Sequence, residues 1–318
     1  MTQKRLPVSP CPYVSASPLA PSPARPLARS AAILLLAAAT AFAAVTTEIR
    51  FKLSAGDLAS AEALAEDHLH AHGANSEYAA ALSWLARGAL ELGNPEAAAR
   101  YLAQTKALTT ELLKTKRVED DDYLETAVGA SIEVEARALA ARGERGDAIA
   151  FLESQAPRWK TWPIAARIQK NLNLLTLEGQ PAPELDPQYR GNPVLLFLWA
   201  HWCGDCKAQA PVIARLRAKY EPRGLRVIAP TRRYGFIGDN EHPTTEQEDQ
   251  EIEHVWKASY ADLAAAPHPI SHAMMLRYGV SATPTLVLID RRGIVRMYRP
   301  TRMSEAELAR RIETLLAN

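Results

Sequence analysis

The chain has 318 residues, which is enough for two domains of ordinary size, each with its own buried core. Its formal net charge is +1. Four of its 37 basic residues and none of its 36 acidic residues precede residue 45, so the remainder carries 33 basic against 36 acidic side chains. This balance provides no positive field for a nucleic acid, and we expect no nucleic-acid partner.

Residues 1–44 are predicted to form a signal peptide. A basic, proline-rich leader precedes an apolar run from Ala31 to Val45, and small residues at positions 41, 43 and 44 favour cleavage near Ala43 or Ala44. The run is shorter than the roughly 20 residues of a membrane-spanning helix. We therefore expect a periplasmic or otherwise extracytoplasmic protein; retention by an uncleaved N-terminal anchor is the alternative.

Residues 45–178 are predicted to form an all-α, helical-repeat-like domain. Apolar residues recur at spacings of three and four from Glu48 to Gln155. A glycine that closes one helix and an alanine inside the next recur three times: Gly56 with Ala61, Gly93 with Ala98, and Gly143 with Ala148. The second copy resembles the tetratricopeptide helix-turn-helix repeat, although the repeats are irregularly spaced. Stacked helix pairs would share one core and offer a surface for a protein partner; an ordinary helical bundle is the alternative.

A proline-rich stretch from Gln180 to Glu184 predicts an extended linker at the start of a second domain, residues 179–318. The apolar pattern then predicts, in order, a strand at 194–199, a helix at 206–220, a strand at 225–230, a polar insertion at 232–275 with an acidic helix at 245–264, strands at 285–289 and 294–298, and a helix at 304–316. A turn from Asp290 to Gly293 joins the last two strands. This order predicts a right-handed βαβ unit followed by an antiparallel hairpin.

Three cysteines are present, and Cys11 lies in the predicted signal peptide. The other two, Cys203 and Cys206, close too small a loop to staple a fold, and they favour a reversible redox couple. A structural zinc site needs four ligands, and the sequence has no second C-x-x-C and no C-x-x-H. We expect neither a metal nor another cofactor.

The segment 199–207, WAHWCGDCK, is followed by Pro211 in the predicted helix and by Thr283-Pro284 before a predicted strand. These motifs together resemble the thioredoxin superfamily, and the exported form with an insertion is similar to the TlpA/ResA type of disulfide reductase. The resemblance covers residues 180–318. It implies an α/β thioredoxin-like fold, in which helices flank a central mixed sheet, preceded by the all-α domain.

The resemblance assigns roles to five residues. Cys203 would be the nucleophile, because the N-terminus of a helix stabilises a thiolate, and Cys206 would resolve the mixed disulfide. Trp202 would shield the pair. Pro284 would be a cis-proline opposite the pair, and Thr283 would present its backbone to an extended substrate segment.

One position departs from thioredoxin, which has a buried acid where this chain has Phe197. Proton transfer at Cys206 would therefore use another group, a water or the substrate. Three glutamates of the insertion are candidates, although each is expected to be exposed: Glu241, Glu246 and Glu248.

Other side chains near the motif have two interpretations each. His201 is expected either to act electrostatically on Cys203 or to be a surface histidine packed on the motif. The insertion aromatics, Tyr234, Phe236 and Trp256, are expected either to line a groove or to pack in the core. Asp205 adds negative charge beside the cysteines, which predicts a moderately reducing couple.

The predicted function is that of a thiol-disulfide oxidoreductase that reduces disulfides of exported client proteins. An upstream thiol electron donor would then reduce the enzyme again. Oxidation or isomerisation of client disulfides is also open. The alternative class is an interaction protein, in which the helical half binds partners and the redox pair is a clamp or sensor.

Overall fold

The computed structural model describes residues 44–317, so the predicted signal peptide, apart from Ala44, and Cys11 lie outside the described residues. Seven α-helices come first within this range: α1 (Val45–Ser54), α2 (Leu58–His72), α3 (Ser76–Glu91), α4 (Pro95–Leu112), α5 (Asp122–Ala141), α6 (Arg145–Gln155) and α7 (Trp162–Thr176). The second half follows in the order β1 (Val194–Leu198), α8 (Gly204–Tyr220), β2 (Arg226–Ile228), α9 (Thr245–Ser259), α10 (His272–Arg277), β3 (Thr285–Ile289), β4 (Val295–Arg299) and α11 (Glu305–Ala317).

The helical half is built from two sets of helices. The odd-numbered helices α1, α3, α5 and α7 pack against one another in order, and α2, α4 and α6 each pack against their odd-numbered neighbours. The three glycines follow α1, α3 and α5 with positive φ, and the three alanines predicted with them are buried: Ala61, Ala98 and Ala148. The predicted helical character is confirmed, and the likeness to tetratricopeptide repeats stays a prediction.

Apolar surface along α1 to α7 is buried in two clusters, one centred on α3 and the other on α5 and α7. Within residues 44–317, no helix has both the length and the apolar character needed to cross a bilayer.

The second half is organised on a four-stranded mixed sheet in the order β2-β1-β3-β4. β1 and β2 are parallel and are joined by α8, whereas β1 with β3 and β3 with β4 are antiparallel. All five residues of β1 and of β3 are buried, as expected of central strands covered on both faces. The predicted thioredoxin-like α/β fold is confirmed.

The second strand is shorter than predicted, because its extension pairs with the insertion. The N–H groups of Ala229 and Thr231 donate to the carbonyls of Pro267 and Pro269 at 2.7 and 3.0 Å. The insertion thus returns to the edge of the sheet directly beyond β2.

The predicted linker is extended, and it is bound to the sheet rather than free. Val295 donates its N–H to the carbonyl of Gln180 at 2.9 Å, and Ala182 donates to Gly293 at 2.8 Å. This pairing covers the edge of β4, whose backbone groups would otherwise lack partners on that side. The predicted domain boundary at residue 179 stays a prediction.

Candidate active site

Cys203 and Cys206 are joined by a disulfide, with their Cα atoms 5.2 Å apart. Cys203 is the N-cap residue of α8, and its Sγ accepts the N–H of Cys206 at 3.0 Å. At this position the helix dipole and backbone N–H groups stabilise negative charge on sulfur. In the disulfide form Cys203 is 3 % exposed and Cys206 is fully buried, so the pair is reached from the Cys203 side.

The end of β1 is held in place by the buried side chain of Trp199. Its indole N–H donates to the carbonyl of Ala229 at 2.8 Å, and its own carbonyl accepts the hydroxyl of Thr231 at 2.8 Å. The Trp199 ring also packs against Trp256 and Tyr260 of the insertion, at centroid distances of 5.2 and 4.7 Å. The turn that leads to Cys203 therefore starts from a rigid position.

The Thr283–Pro284 peptide bond is cis. Thr285, the first residue of β3, is paired with Leu198, the last residue of β1. The loop before β3 and the loop that carries Cys203 therefore lie at the same end of adjacent strands. Pro284 is buried and Thr283 is half-buried. A role of the Thr283 backbone in substrate binding stays a prediction.

Trp202 is the large exposed apolar side chain of this region, with 43 % of its surface accessible. Its ring meets that of Tyr234 edge to face at 5.4 Å and lies 6.2 Å from Phe236. Trp256, by contrast, is buried behind Trp199. Of the three aromatic residues predicted in the insertion, Tyr234 and Trp256 are therefore part of the core, and the half-buried Phe236 lies beside Trp202.

His201 is buried at 4 % exposure, so its interpretation as a surface histidine is wrong. The insertion covers it: Nε2 lies 3.1 Å from the carbonyl of Phe236, and the ring meets Tyr234 edge to face. Burial lowers the pKa of His201, with Glu248 opposing the shift. The imidazole is therefore neutral near pH 7, which means that Nε2 is the donor to Phe236.

Glu248 is buried at 3 % exposure, so its predicted exposure is wrong, whereas Glu241 and Glu246 are exposed as expected. Its carboxylate accepts the backbone N–H of Tyr234 and, at 3.0 and 3.1 Å, that of Gly235. These backbone groups need an acceptor because the loop has no strand partner there. Glu248 therefore anchors the loop that carries the aromatic residues beside Trp202.

Arg232 was not singled out by the sequence motifs, yet it joins the helical half to this site. It is 7 % exposed, and its guanidinium lies 4.0 Å from the ring centroids of both Trp162 and Tyr234. Trp162 is the first residue of α7. A buried arginine between two aromatic planes was not recognisable in advance, because its partners are far apart in the sequence.

The charged residue beside the cysteines is Asp205, in the first turn of α8. Arg302 lies 3.3 Å from its carboxylate, and both side chains are more than half exposed. The positive charge of Arg302 therefore partly offsets the negative charge of Asp205. Within residues 44–317, no three His, Cys, Asp or Glu side chains are grouped as metal ligands would be.

Comparisons with known proteins found relatives of the second half of the chain. A family model, the AhpC/TSA family, matches residues 170–298. The chain is 28 % identical over 155 residues to the thiol:disulfide interchange protein DsbE of Xylella fastidiosa, covering 45 % of this chain and 71 % of that protein. It is 25 % identical over 146 residues to the thiol-disulfide oxidoreductase ResA of Geobacillus thermodenitrificans, covering 45 % and 72 %.

Among solved structures, StoA from Bacillus subtilis is 18 % identical and covers 39 % of this chain and 84 % of its own, with a TM-score of 0.32. The match to the family model begins within α7 and spans the sheet, the cysteine pair and the loop before β3. Residues 170–298 therefore match the model of the AhpC/TSA family and contain the thioredoxin-like sheet, and the homologues of this chain include thiol-disulfide oxidoreductases of the DsbE and ResA type.

Proposed function

We propose that this protein is a thiol-disulfide oxidoreductase that reduces disulfides of exported client proteins through Cys203 and Cys206. The observation that carries the proposal is the cysteine pair at the N-terminus of α8, in a domain related to thiol:disulfide interchange proteins. The described structure corresponds to the oxidised state that one catalytic turnover leaves behind.

In the reduced protein, the Cys203 thiolate attacks a client disulfide and forms a mixed disulfide, and one client sulfur leaves as a thiolate. The Cys206 thiolate then attacks Cys203 Sγ, which closes the internal disulfide and releases the second client sulfur. Two electrons pass from the protein to the client, which ends with two thiols. An upstream thiol donor restores the dithiol by the same exchange in reverse.

The proton of Cys206 must leave before that thiol attacks. Phe197 occupies the buried position where thioredoxin has an acid, and it packs against Tyr260 at 6.1 Å. Glu248 is engaged with the backbone of Tyr234 and Gly235. We assign the proton to water or to the departing client thiolate, which is the basic group nearest to the reaction.

The proposal includes the organisation of the chain. Residues 1–44 would direct export to the periplasm or another extracytoplasmic compartment, residues 45–178 would form the helical domain, and residues 179–318 would form the redox domain. An oxidising compartment supplies the client disulfides that such an enzyme needs.

Trapping of clients tests the proposed function. In a Cys206→Ser variant the mixed disulfide has no resolving thiol, so client proteins should accumulate on Cys203 and be released by a reducing agent. The matched control is Cys203→Ser, which retains Cys206 but should trap nothing. Equal trapping by both variants, or trapping by neither in the native compartment, would contradict the assignment.

A further inference from the structure

The odd-numbered helices of the helical half carry a row of arginines on one side. In α3 this side is formed by Trp84 and Arg87, which are half-buried, and by the exposed Glu91, whereas residues 79–83, 85, 86, 88 and 89 are buried. Side chains from α1, α5 and α7 extend this surface. We call the combined surface the arginine face; it consists of Arg50, Trp84, Arg87, Glu91, Glu125, Glu133, Arg137, Arg167 and Lys170.

The arginine face has more positive than negative charge. Its five cations face three carboxylates, so two positive charges are in excess. Glu133, which is 3 % exposed, accepts a hydrogen bond from Lys170 at 2.9 Å, and Arg167 lies 3.7 Å away. Glu91 accepts from Arg87 at 3.0 Å and from Arg137 at 3.1 Å.

This pairing is incomplete for two guanidiniums: Arg167, which has an ion pair but an unsatisfied N–H group, and Arg50, which has no ion pair within residues 44–317. The Nη1 atom of Arg167 is buried and has no hydrogen-bond partner among the described residues. Arg50 stacks on Trp84 at 4.7 Å, and in the described part of the chain no carboxylate lies within 4.0 Å of it. Burial lowers the pKa of Arg167; Glu133 opposes this shift and Arg87 adds to it. An anion on this face would offset the unmatched charge.

The shape of the face favours a chain-like anion. Arg50 and Arg87 both lie over the Trp84 ring, Arg87 at 5.3 Å from its centroid, so the indole holds two carboxylate-binding guanidiniums close together. Arg137 and Arg167 lie on two further helices. Acidic side chains separated by short spacers would contact cations on several helices, which one small ion does not.

The arginine face also lies near the redox site along α7. Trp162 begins α7 and contacts Arg232, which contacts Tyr234 beside Trp202. Arg167 follows Trp162 by five residues, or about 7.5 Å along the helix axis. A polypeptide with its disulfide at Trp202 could therefore extend onto this face.

We propose that the arginine face binds an acidic segment of a polypeptide, in clients a segment that flanks the disulfide. The location of this segment beside a client disulfide rests on the proposed redox function. The binding of an acidic segment does not.

Binding can be measured by titration calorimetry on the full chain with Cys203→Ser and Cys206→Ser, which removes covalent capture. The probes are a short peptide of alternating Glu and Gly and a matched peptide of alternating Gln and Gly. We expect the Glu peptide to bind in a salt-dependent manner and the Gln peptide to bind at least about tenfold more weakly, since charge-assisted hydrogen bonds are lost.

Two substitutions locate the site. Arg50→Gln removes an arginine that has no ion pair, so the fold should be retained, which a thermal melt checks; the affinity for the Glu peptide should fall about tenfold. The matched control is Arg100→Gln on α4. Arg100 is exposed, does not belong to the arginine face and lies 3.7 Å from Glu62. Equal loss with the two variants, equal binding of the two peptides, or displacement of the Glu peptide by equimolar inorganic phosphate would overturn the proposal.

A kinetic measurement separates this proposal from the redox function. With the wild-type chain, a disulfide peptide with an acidic flank should have a lower KM than one with a neutral flank, and Arg50→Gln should abolish the difference. Loss of reduction with retained binding would contradict only the redox function. Retained reduction without any preference for the acidic flank would contradict the binding proposal.

Discussion

Two features act on the Cys203 sulfur in opposite directions: it accepts a backbone N–H of α8, and the exposed negative charge of Asp205 lies two residues along the chain. The first feature stabilises a thiolate and the second opposes it. Arg302 moderates the second effect at 3.3 Å, although water screens both side chains. The reduction potential of the pair therefore depends on a balance of charges that mutation can shift in either direction.

Replacement of Asp205 by Asn should make the couple less reducing, because loss of the negative charge stabilises the thiolate and hence the reduced state. Arg302→Gln should have the opposite effect. Each shift should stay within about 20 mV, the equivalent of about 1 kcal/mol for an exposed pair. Equilibration with glutathione buffers measures the potential, and shifts of the same sign in the two variants would contradict this account.

Two side chains close to the cysteines show where prediction from the sequence failed. Glu248 lies in a polar stretch of the sequence, which indicates exposure, and His201 is a polar residue whose apolar neighbours in the motif do not decide between burial and exposure. Both are buried because the insertion folds back over the end of β1, where Glu248 binds the loop backbone and His201 binds Phe236. No local pattern reveals this, since the contacts depend on the path of the insertion.

At the scale of secondary-structure elements, α3, α5 and α7 are joined by a shared carboxylate. Glu133 of α5 is buried among Lys170 of α7, Arg167 of α7 and Arg87 of α3. Burial alone would raise the pKa of Glu133, but Lys170, Arg167 and Arg87 outweigh it and lower the pKa to about 2. These ion pairs connect three helices that also pack through apolar side chains of α5 and α7.

This cluster predicts a defined pH dependence of stability. Because the folded-state pKa of Glu133 is depressed, its contribution is fully present above about pH 4.5 and is lost as the pH falls toward 2. Glu133→Gln should reduce the free energy of unfolding by about 3 kcal/mol at pH 7, since it leaves buried cations unpaired.

Denaturant unfolding of the wild type and of Glu133→Gln across this pH range is the measurement. The difference between the two proteins should shrink as the pH falls from 4.5 to 2. Glu119→Gln, which alters an exposed carboxylate outside the cluster, is the control. A difference that stays constant with pH would show that the charge of Glu133 is not the cause.

At the scale of the whole molecule, the helical half and the redox half share an interface. Arg232 lies between Trp162 and Tyr234, and the side-chain amide of Asn173 donates to the carbonyl of Arg277 at 2.9 Å. Gly279 approaches α7 so closely that a Cβ there would lie 2.2 Å from the backbone nitrogen of Lys170. The helical half is therefore a fixed neighbour of the active site.

Gly279→Ala should weaken this interface strongly. The residue has φ of 59°, and the new methyl group would collide with backbone that cannot move aside. We expect a loss of about 3 kcal/mol or more in the free energy of unfolding.

The matched control for this substitution is Gly293→Ala. That glycine also has a positive φ, of 81°, but no atom lies within 4 Å of the added Cβ, so the loss should be only about 1–2 kcal/mol. Denaturant unfolding compares the two variants. Equal losses would mean that backbone conformation alone is responsible and that the close approach to α7 is unimportant.

The redox pair, the loop that contains Pro284, the succession of strands along the chain and the helical character of the first half could all be predicted from the sequence. These features depend on residue spacing and on short apolar periods, which act locally. The folded structure was needed to find that His201 and Glu248 are buried, that Arg232 connects the two halves, and that arginines from four helices lie together. Those features arise from contacts between residues distant in the chain, and the physical cause is burial, which no local pattern records.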